Sequence, residues 1–235
     1  MSCQLTAVTF DAHDPARVAA FWAGLLDRVA AEDRRGVLLP GAGHEVGLRF
    51  IGSAEAKAGR DPVHLHLTST TPDDQRRTVD KALRLGASHL DVGQLPEEGH
   101  VVLADPEGNE LCVIEPGEPF LAGCGFLGEV TCTGTRDVGF FWAEALGWPL
   151  VWDQGPQTAI QSPAGGTKVS WDGPVATHRR GRNRQRFDLT VLDADLDDEA
   201  DRLVALGATR LTAADDGVVA LVDPDGNEFS LVTAP

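Results

Sequence analysis

Apolar and polar residues alternate through QLTAVTF (residues 4–10), the two-residue period of a half-buried strand. The period then lengthens. In DPARVAAFWAGLL (14–26) apolar positions recur every three to four residues, Asp14 is placed to cap a helix, and Pro15 takes its first position. Short strands are expected near 29–32, 36–39 and 45–51. The pattern then restarts: VHLHLT (63–68) alternates, PDDQRRTVDKALRLGA (72–87) is a helix stopping at Gly86, and strands are expected near 88–92, 99–104 and 109–114. Strand, helix and three strands have thus run twice by residue 114.

The same order runs twice more, with helices expected near 135–146 and 195–206. ARVAAFWAGLLDR (16–28) is echoed by RDVGFFWAEALGW (136–148), LRLGAS (83–88) by LVALGAT (203–209), and ADPEGNELCVI (104–114) by VDPDGNEFSLV (222–232). Matched residues such as Trp22 and Trp142, Gly86 and Gly207, or Glu110 and Glu228 lie 118 to 121 positions apart. Three motifs in one order at one spacing mean an internal duplication. Its seam is EPGEPFLAGCG (115–125), where two prolines and three glycines interrupt strand-like sequence. The expected domains are 1–116 and 124–235.

Alternation also assigns faces. Val63, Leu65 and Leu67 must pack under a helix, which turns His64, His66 and Thr68 the other way. Packing of Leu111 and Val113 does the same for Glu110, Cys112 and Ile114. In the second half Arg186, Asp188 and Thr190 fall on that face, with Glu228 and Ser230 beside them. On the first strand of each half the outward sets are Leu5, Ala7, Thr9 and Leu127, Glu129, Thr131. Phe21, Trp22, Phe141 and Trp142 lie on helical stripes and read as core. Trp148, Trp152 and Trp171 follow the helix on short strands, where a flat apolar wall would suit a pocket.

These faces hold the candidate chemistry. His64 and His66 could act as acid and base, or chelate a cation with Cys112 or Glu110 as third ligand. Cys112 beside a histidine is a potential nucleophile, against the plainer reading of buried packing. Glu129, Asp188 and Glu228 with Arg186 could do acid–base work; the plainer reading is an Arg186–Asp188 ion pair with Glu228 bracing its turn. HRRGRNRQR (178–186) is the one basic run, a solvated loop or a hold for an anionic group. HEVG (44–47) lacks the second histidine of a zinc-protease signature.

Composition narrows the partners. A formal charge of −16 disfavours nucleic acid and anionic membranes. No apolar run approaches membrane-spanning length, and MSCQLTAVTFDAHDP reaches Asp11 before any signal-like stretch develops. Four cysteines without C-x-x-C spacing fit reduced thiols and a cytoplasmic location.

Paired strand–helix–three-strand modules, FW in the first helix, LGA closing the second and DP(D/E)GNE before the last strand resemble the glyoxalase/bleomycin-resistance/dioxygenase superfamily, the vicinal oxygen chelate proteins, in their glyoxalase-like branch. The resemblance covers nearly the whole chain twice. It implies an α+β fold of four βαβββ modules forming two domains, each curling the mixed sheets of its own two modules into a cup around a small-molecule site. Metal-dependent members ligate through His or Gln on the first strand, Glu or similar on the fourth, His on the fifth and Glu on the last. Counting back from the helix aromatics sets the first-strand positions at Ala7 and Leu127. The fourth fall at Leu48 or Arg49 and at Ser170 or Trp171, the fifth at His64 and Arg186, and the last at Cys112 and Ser230. One good ligand in the first domain and none in the second imply that the family metal is absent, with a divalent metal through His64 as the alternative.

The expected function is metal-independent binding of an aromatic small molecule by a monomer or homodimer. The alternative is a lyase, isomerase or epimerase acting beside a carbonyl. His64, His66 and Glu129 are the candidate catalytic groups. Thr9, Glu110, Cys112, Trp148, Trp171, Arg186, Asp188 and Glu228 are the candidate ligand contacts.

Overall fold

The computed structural model describes residues 2–55, 62–95, 97–173, 183–212 and 217–233. Four βαβββ modules follow one another. The first is β1 (Cys3–Ala12), α1 (Pro15–Leu26), β2 (Ala31–Asp33), β3 (Gly36–Leu39) and β4 (Gly47–Gly52). The second is β5 (Val63–Leu67), α2 (Pro72–Leu85), β6 (Ser88–His89), β7 (Val101–Ala104) and β8 (Glu110–Val113). After a 3₁₀ turn at Pro119–Leu121, the third is β9 (Leu127–Thr133), α3 (Arg136–Leu146), β10 (Leu150–Gln154), β11 (Gln157–Gln161) and β12 (Lys168–Asp172). The fourth is β13 (Gln185–Val191), α4 (Leu196–Leu206), β14 (Thr209–Arg210), β15 (Val218–Val222) and β16 (Glu228–Thr233). No helix of the described residues is long and apolar enough to cross a membrane.

The helix ends follow their sequence signals. The Asp14 carboxylate accepts from the Arg17 amide at 3.0 Å, Thr71 caps α2 in the same way, and α2 stops at Gly86 with φ +113°. Only glycine adopts that conformation without cost.

The modules form two eight-stranded mixed sheets, but not as the resemblance implied. The first sheet runs β14-β15-β16-β13-β1-β4-β3-β2 and joins the first module to the fourth. The second runs β10-β11-β12-β9-β5-β8-β7-β6 and joins the third to the second. Each sheet, and so each cup, therefore takes one module from each half of the duplication. The seams are antiparallel, β1 on β13 and β5 on β9. Alternation along a strand fixes which face is buried and is silent about which strand lies on the open edge, so module pairing was not readable from the pattern.

What binds the two modules of one half is the repeated DP(D/E)GNE turn. The indole Nε1 of Trp22 donates to Asp105 at 2.9 Å, and Glu107 accepts from the backbone N–H of His13 and Asp14, just before α1. In the second half Trp142 donates to Asp223 at 3.1 Å, and Asp225 accepts from the Thr135 amide at 2.6 Å. Burial pushes the Asp105 and Asp223 carboxyls upward, against the hydrogen bonds from Asn109, Asn227 and the two indoles. FW and DP(D/E)GNE recur together because they are the two ends of one staple. One continuous apolar core, with Trp22 and Trp142 fully buried, runs through all four modules, and Trp171 stacks on Trp142 with centroids 6.5 Å apart.

Candidate functional site

Strand pairing lays the functional side chains out in rows. Across the second sheet one row is Cys112, His66, Glu129 and Lys168. The adjacent row carries His64, Thr131 and Ser170, and the parallel register of β5 and β8 sets Glu110 beside His64. A bulge at Gly128 re-aims the start of β9. A Cβ there would meet the Thr68 methyl at 2.5 Å, so only glycine fits.

The rows close into a hydrogen-bond chain. His66 Nδ1 and Glu129 Oε2 lie 2.6 Å apart, Ser170 Oγ donates to Glu129 Oε1 at 2.5 Å, and Thr131 Oγ1 is 2.8 Å from Ser170 Oγ. The His64 and His66 rings are 5.0 Å apart, centre to centre. Burial alone would lower the His66 pKa, but hydrogen bonds and charge from Cys112 and Glu129 more than offset it and raise it to about 10. Burial likewise disfavours the Glu129 carboxylate, yet the His66 and Ser170 hydrogen bonds hold its pKa below the usual range. The pair is an imidazolium on a carboxylate at neutral pH.

Above this floor opens a cavity of about 560 Å³. His64, His66, Glu129, Thr131 and Ser170 form its polar part, and Phe120, Trp152 and Trp171 its aromatic walls. Glu118, Gln157 and Asp172 stand among the remaining lining residues. Cys132 also reaches the cavity, but burial pushes its thiol well up and keeps it neutral.

The equivalent face of the first sheet is built differently. Its rows are Ser230, Asp188, Ala7, Gly47 and Glu228, Arg186, Thr9, Arg49. Arg186 pairs with Asp11 at 2.8 Å. Asp188 pairs with Arg35 at 2.9 Å and Arg49 at 3.2 Å, and Arg49 also holds Asp33 at 2.6 Å. Thr9, Arg49, Arg186 and Asp188 are all buried.

Several expectations change. Glu129 does not share a cup with Asp188, Arg186 and Glu228; it lies against His66, because β9 pairs with β5. Arg186 and Asp188 are both ion-paired, though with other partners than each other. Glu228 accepts a long hydrogen bond from the Asn183 amide at 3.4 Å, at the entry to β13. Trp148 packs against the core while Trp152 and Trp171 line the cavity. Register matches Ala7 with Glu129, not Leu127: Trp22 lies thirteen positions after Thr9, and Trp142 eleven positions after Thr131. Counting back from the helix therefore overshot by two. Residues 178–182 of the basic run lie outside the described residues; within the rest, Arg184 donates to the Asp11 carbonyl at 2.7 Å. Phe120 and Glu118 come from the seam, whose prolines and glycines signalled only a linker. The aromatic residue between them was the available hint.

One ligand atom each from His64, His66 and Cys112 lies within 4.8 Å of the others. Two imidazoles and a thiol suit zinc, and a carboxylate behind one histidine is a usual support for a ligating ring. These donors therefore fit a metal. Cys112, however, sits in a small apolar cluster with Val102, Ile114 and Leu121 rather than in the cavity wall.

The sequence profile of the glyoxalase-like domain matches the chain twice, over residues 7–114 and 129–232, so the chain belongs to the glyoxalase-like domain family. No curated protein sequence matches it. Among solved structures, glyoxalase I from Zea mays is similar over 99% of this chain and 92% of its own, with a TM-score of 0.68 and 14% identity. A putative dioxygenase from Bacillus subtilis is similar over 100% of this chain and 86% of its own, with a TM-score of 0.66 and 16% identity. At such identities the likeness is one of fold.

Proposed function

We propose that the chain binds an aromatic small molecule in the cup of the second sheet, without a metal. The observation that carries this reading is the cavity of about 560 Å³ with Phe120, Trp152 and Trp171 as walls and the His66–Glu129 pair as floor. Apolar walls supply burial and a few fixed polar groups supply orientation, the usual composition of a ligand site. Metal independence is supported by the placement of Cys112, the third possible donor, in the apolar cluster with Val102, Ile114 and Leu121 rather than in the cavity wall. One chain supplies both partners of each sheet, so a monomer suffices for the site. Cys3, Cys112, Cys124 and Cys132 are all free thiols, which supports a reducing cytoplasmic setting.

The test is fluorescence titration with aromatic compounds of differing charge, using Trp152 and Trp171 as reporters. A saturable change that Trp152→Ala and Glu129→Gln both weaken is expected. A flat response across the whole panel would sink the reading.

A second reading, a lyase or isomerase acting beside a carbonyl, is favoured by the His64–His66–Cys112 group. A metal held there would polarise a substrate oxygen. Glu129 would take the proton next to the carbonyl, held in place by His66 and Ser170. Elemental analysis separates the two readings. One zinc per chain, lost in His64→Ala, would replace the metal-free reading.

A further inference from the structure

The seam between the repeats occurs once in the chain, so only one cup can be walled by it. Its 3₁₀ turn, Pro119–Leu121, is capped by the Glu118 carboxylate, which accepts from the Phe120 amide at 3.1 Å. On one side Leu121 is buried among Val102, Cys112 and Ile114, which fixes the turn to the sheet. On the other, Phe120 stands edge-on to Trp152 with ring centres 5.6 Å apart. Lys168 lies over the Phe120 ring at 4.7 Å and donates to its carbonyl. Behind the turn is a second cavity of about 260 Å³, and Glu118 lines both it and the main one. Gly117 and Gly123 bracket the segment at φ +87° and +79°, each with nothing within 4 Å of a would-be Cβ. Glycine is needed there for backbone freedom rather than for space. Trp152 completes the picture, because its buried Nε1–H has no hydrogen-bond partner among the described residues. Such a donor costs free energy unless something accepts from it.

We infer that Phe120 is the gate of this cup, latched by Lys168 and pivoting on Leu121, and that Trp152 behind it is a specificity-determining donor. Entry of a flat ligand parts Phe120 from Trp152, the rear cavity receives the displaced ring, and an acceptor atom on the ligand satisfies the indole N–H. The cup therefore selects planar molecules that carry a carbonyl, ether or ring-nitrogen acceptor at one edge. This rests on the cup being the ligand site, so the first test needs no ligand.

Acrylamide quenching assigned to Trp152, by difference from Trp152→Phe in each background, reports how far the gate stands open. Phe120→Ala and Lys168→Met should each raise that quenching constant roughly fivefold, the scale of losing one cation–π contact and one hydrogen bond. An unchanged constant in both variants, each with an unaltered far-ultraviolet spectrum, would overturn the gate. The second test is stopped-flow binding of quinoline, which has the shape of naphthalene and one ring-nitrogen acceptor. Association and dissociation should both accelerate in the two variants, with affinity little changed in Lys168→Met and lowered in Phe120→Ala, which also loses a wall of the cavity. Naphthalene, which lacks the acceptor, should bind more weakly than quinoline to wild type and equally well to Trp152→Phe. Equal affinities for the two probes, with or without Trp152, would overturn the donor role. If neither probe binds any variant, the binding reading itself fails and the quenching result still decides the gate.

Discussion

The two cups share a scaffold and a register and differ in what fills them. At matched positions the second sheet has His66, His64, Glu129 and Ser170 where the first has Asp188, Arg186, Ala7 and Arg49. Serine leaves room above the strand; arginine occupies it and draws Asp33 and Asp188 in with it. Among the described residues the first face is filled by paired charges, and the second keeps its charged pair at the bottom of an open cavity. A duplicated fold can therefore keep its strand register and still separate a charge-filled cup from an open one. Exchanging a few small side chains for guanidinium–carboxylate networks does it.

The sharpest way to break that contrast is Asp188→Ala. It removes the carboxylate shared by Arg35 and Arg49 and leaves Arg49 to Asp33 alone, and removing one partner of a buried pair costs about 3–5 kcal/mol. Urea unfolding should register that loss, while ligand titration of the folded protein stays as in wild type. In the second cup the order of effects reverses. Glu129→Gln should cost only about 1–2 kcal/mol, because the cavity lets water reach His66, yet it should strongly weaken the fluorescence response to ligand.

The same pair sets a pH signature. The His66 pKa is raised, so its contribution to stability is present in full below 6.5, declines above that and is lost as pH passes about 10. The Glu129 pKa is lowered, so its contribution is present above 4.5 and lost as pH falls through the folded value. Unfolding at pH 6 and pH 10 should therefore separate wild type from His66→Gln at the lower pH and bring them together at the higher. A constant difference would mean that His66 is not charged in the folded protein. The smallest effect belongs to Ser170→Ala, about 0.5–1.5 kcal/mol for one hydrogen bond, with ligand affinity weakened but not lost.

Local pattern carried most of the fold into view. Alternation in VHLHLT placed His64 and His66 on the open face, and the period change at Asp14 placed α1. The duplication was visible because FW and DP(D/E)GNE must be kept together for the Trp22–Asp105 and Trp142–Asp223 contacts. Partners across a seam were hidden. That His66 faces Glu129 depends on which edge β5 presents to β9, a long-range choice that no period encodes. The two extra residues between β1 and α1 hid the match of Ala7 with Glu129. Phe120 was out of reach because it acts from a turn, where neither helical nor strand spacing marks a side chain as inward.

The crossed pairing also sets an order of assembly. The second sheet needs only residues 63–172, two modules adjacent in the chain, whereas β1 must wait for β13, with Cys3 opposite Val191. As the chain is synthesised, the cup with the cavity can close once Asp172 has emerged, nested inside a sheet that is still half-made. Until the fourth module arrives, the edge of β1 stands open to any other strand, a period of exposure that the finished molecule no longer shows.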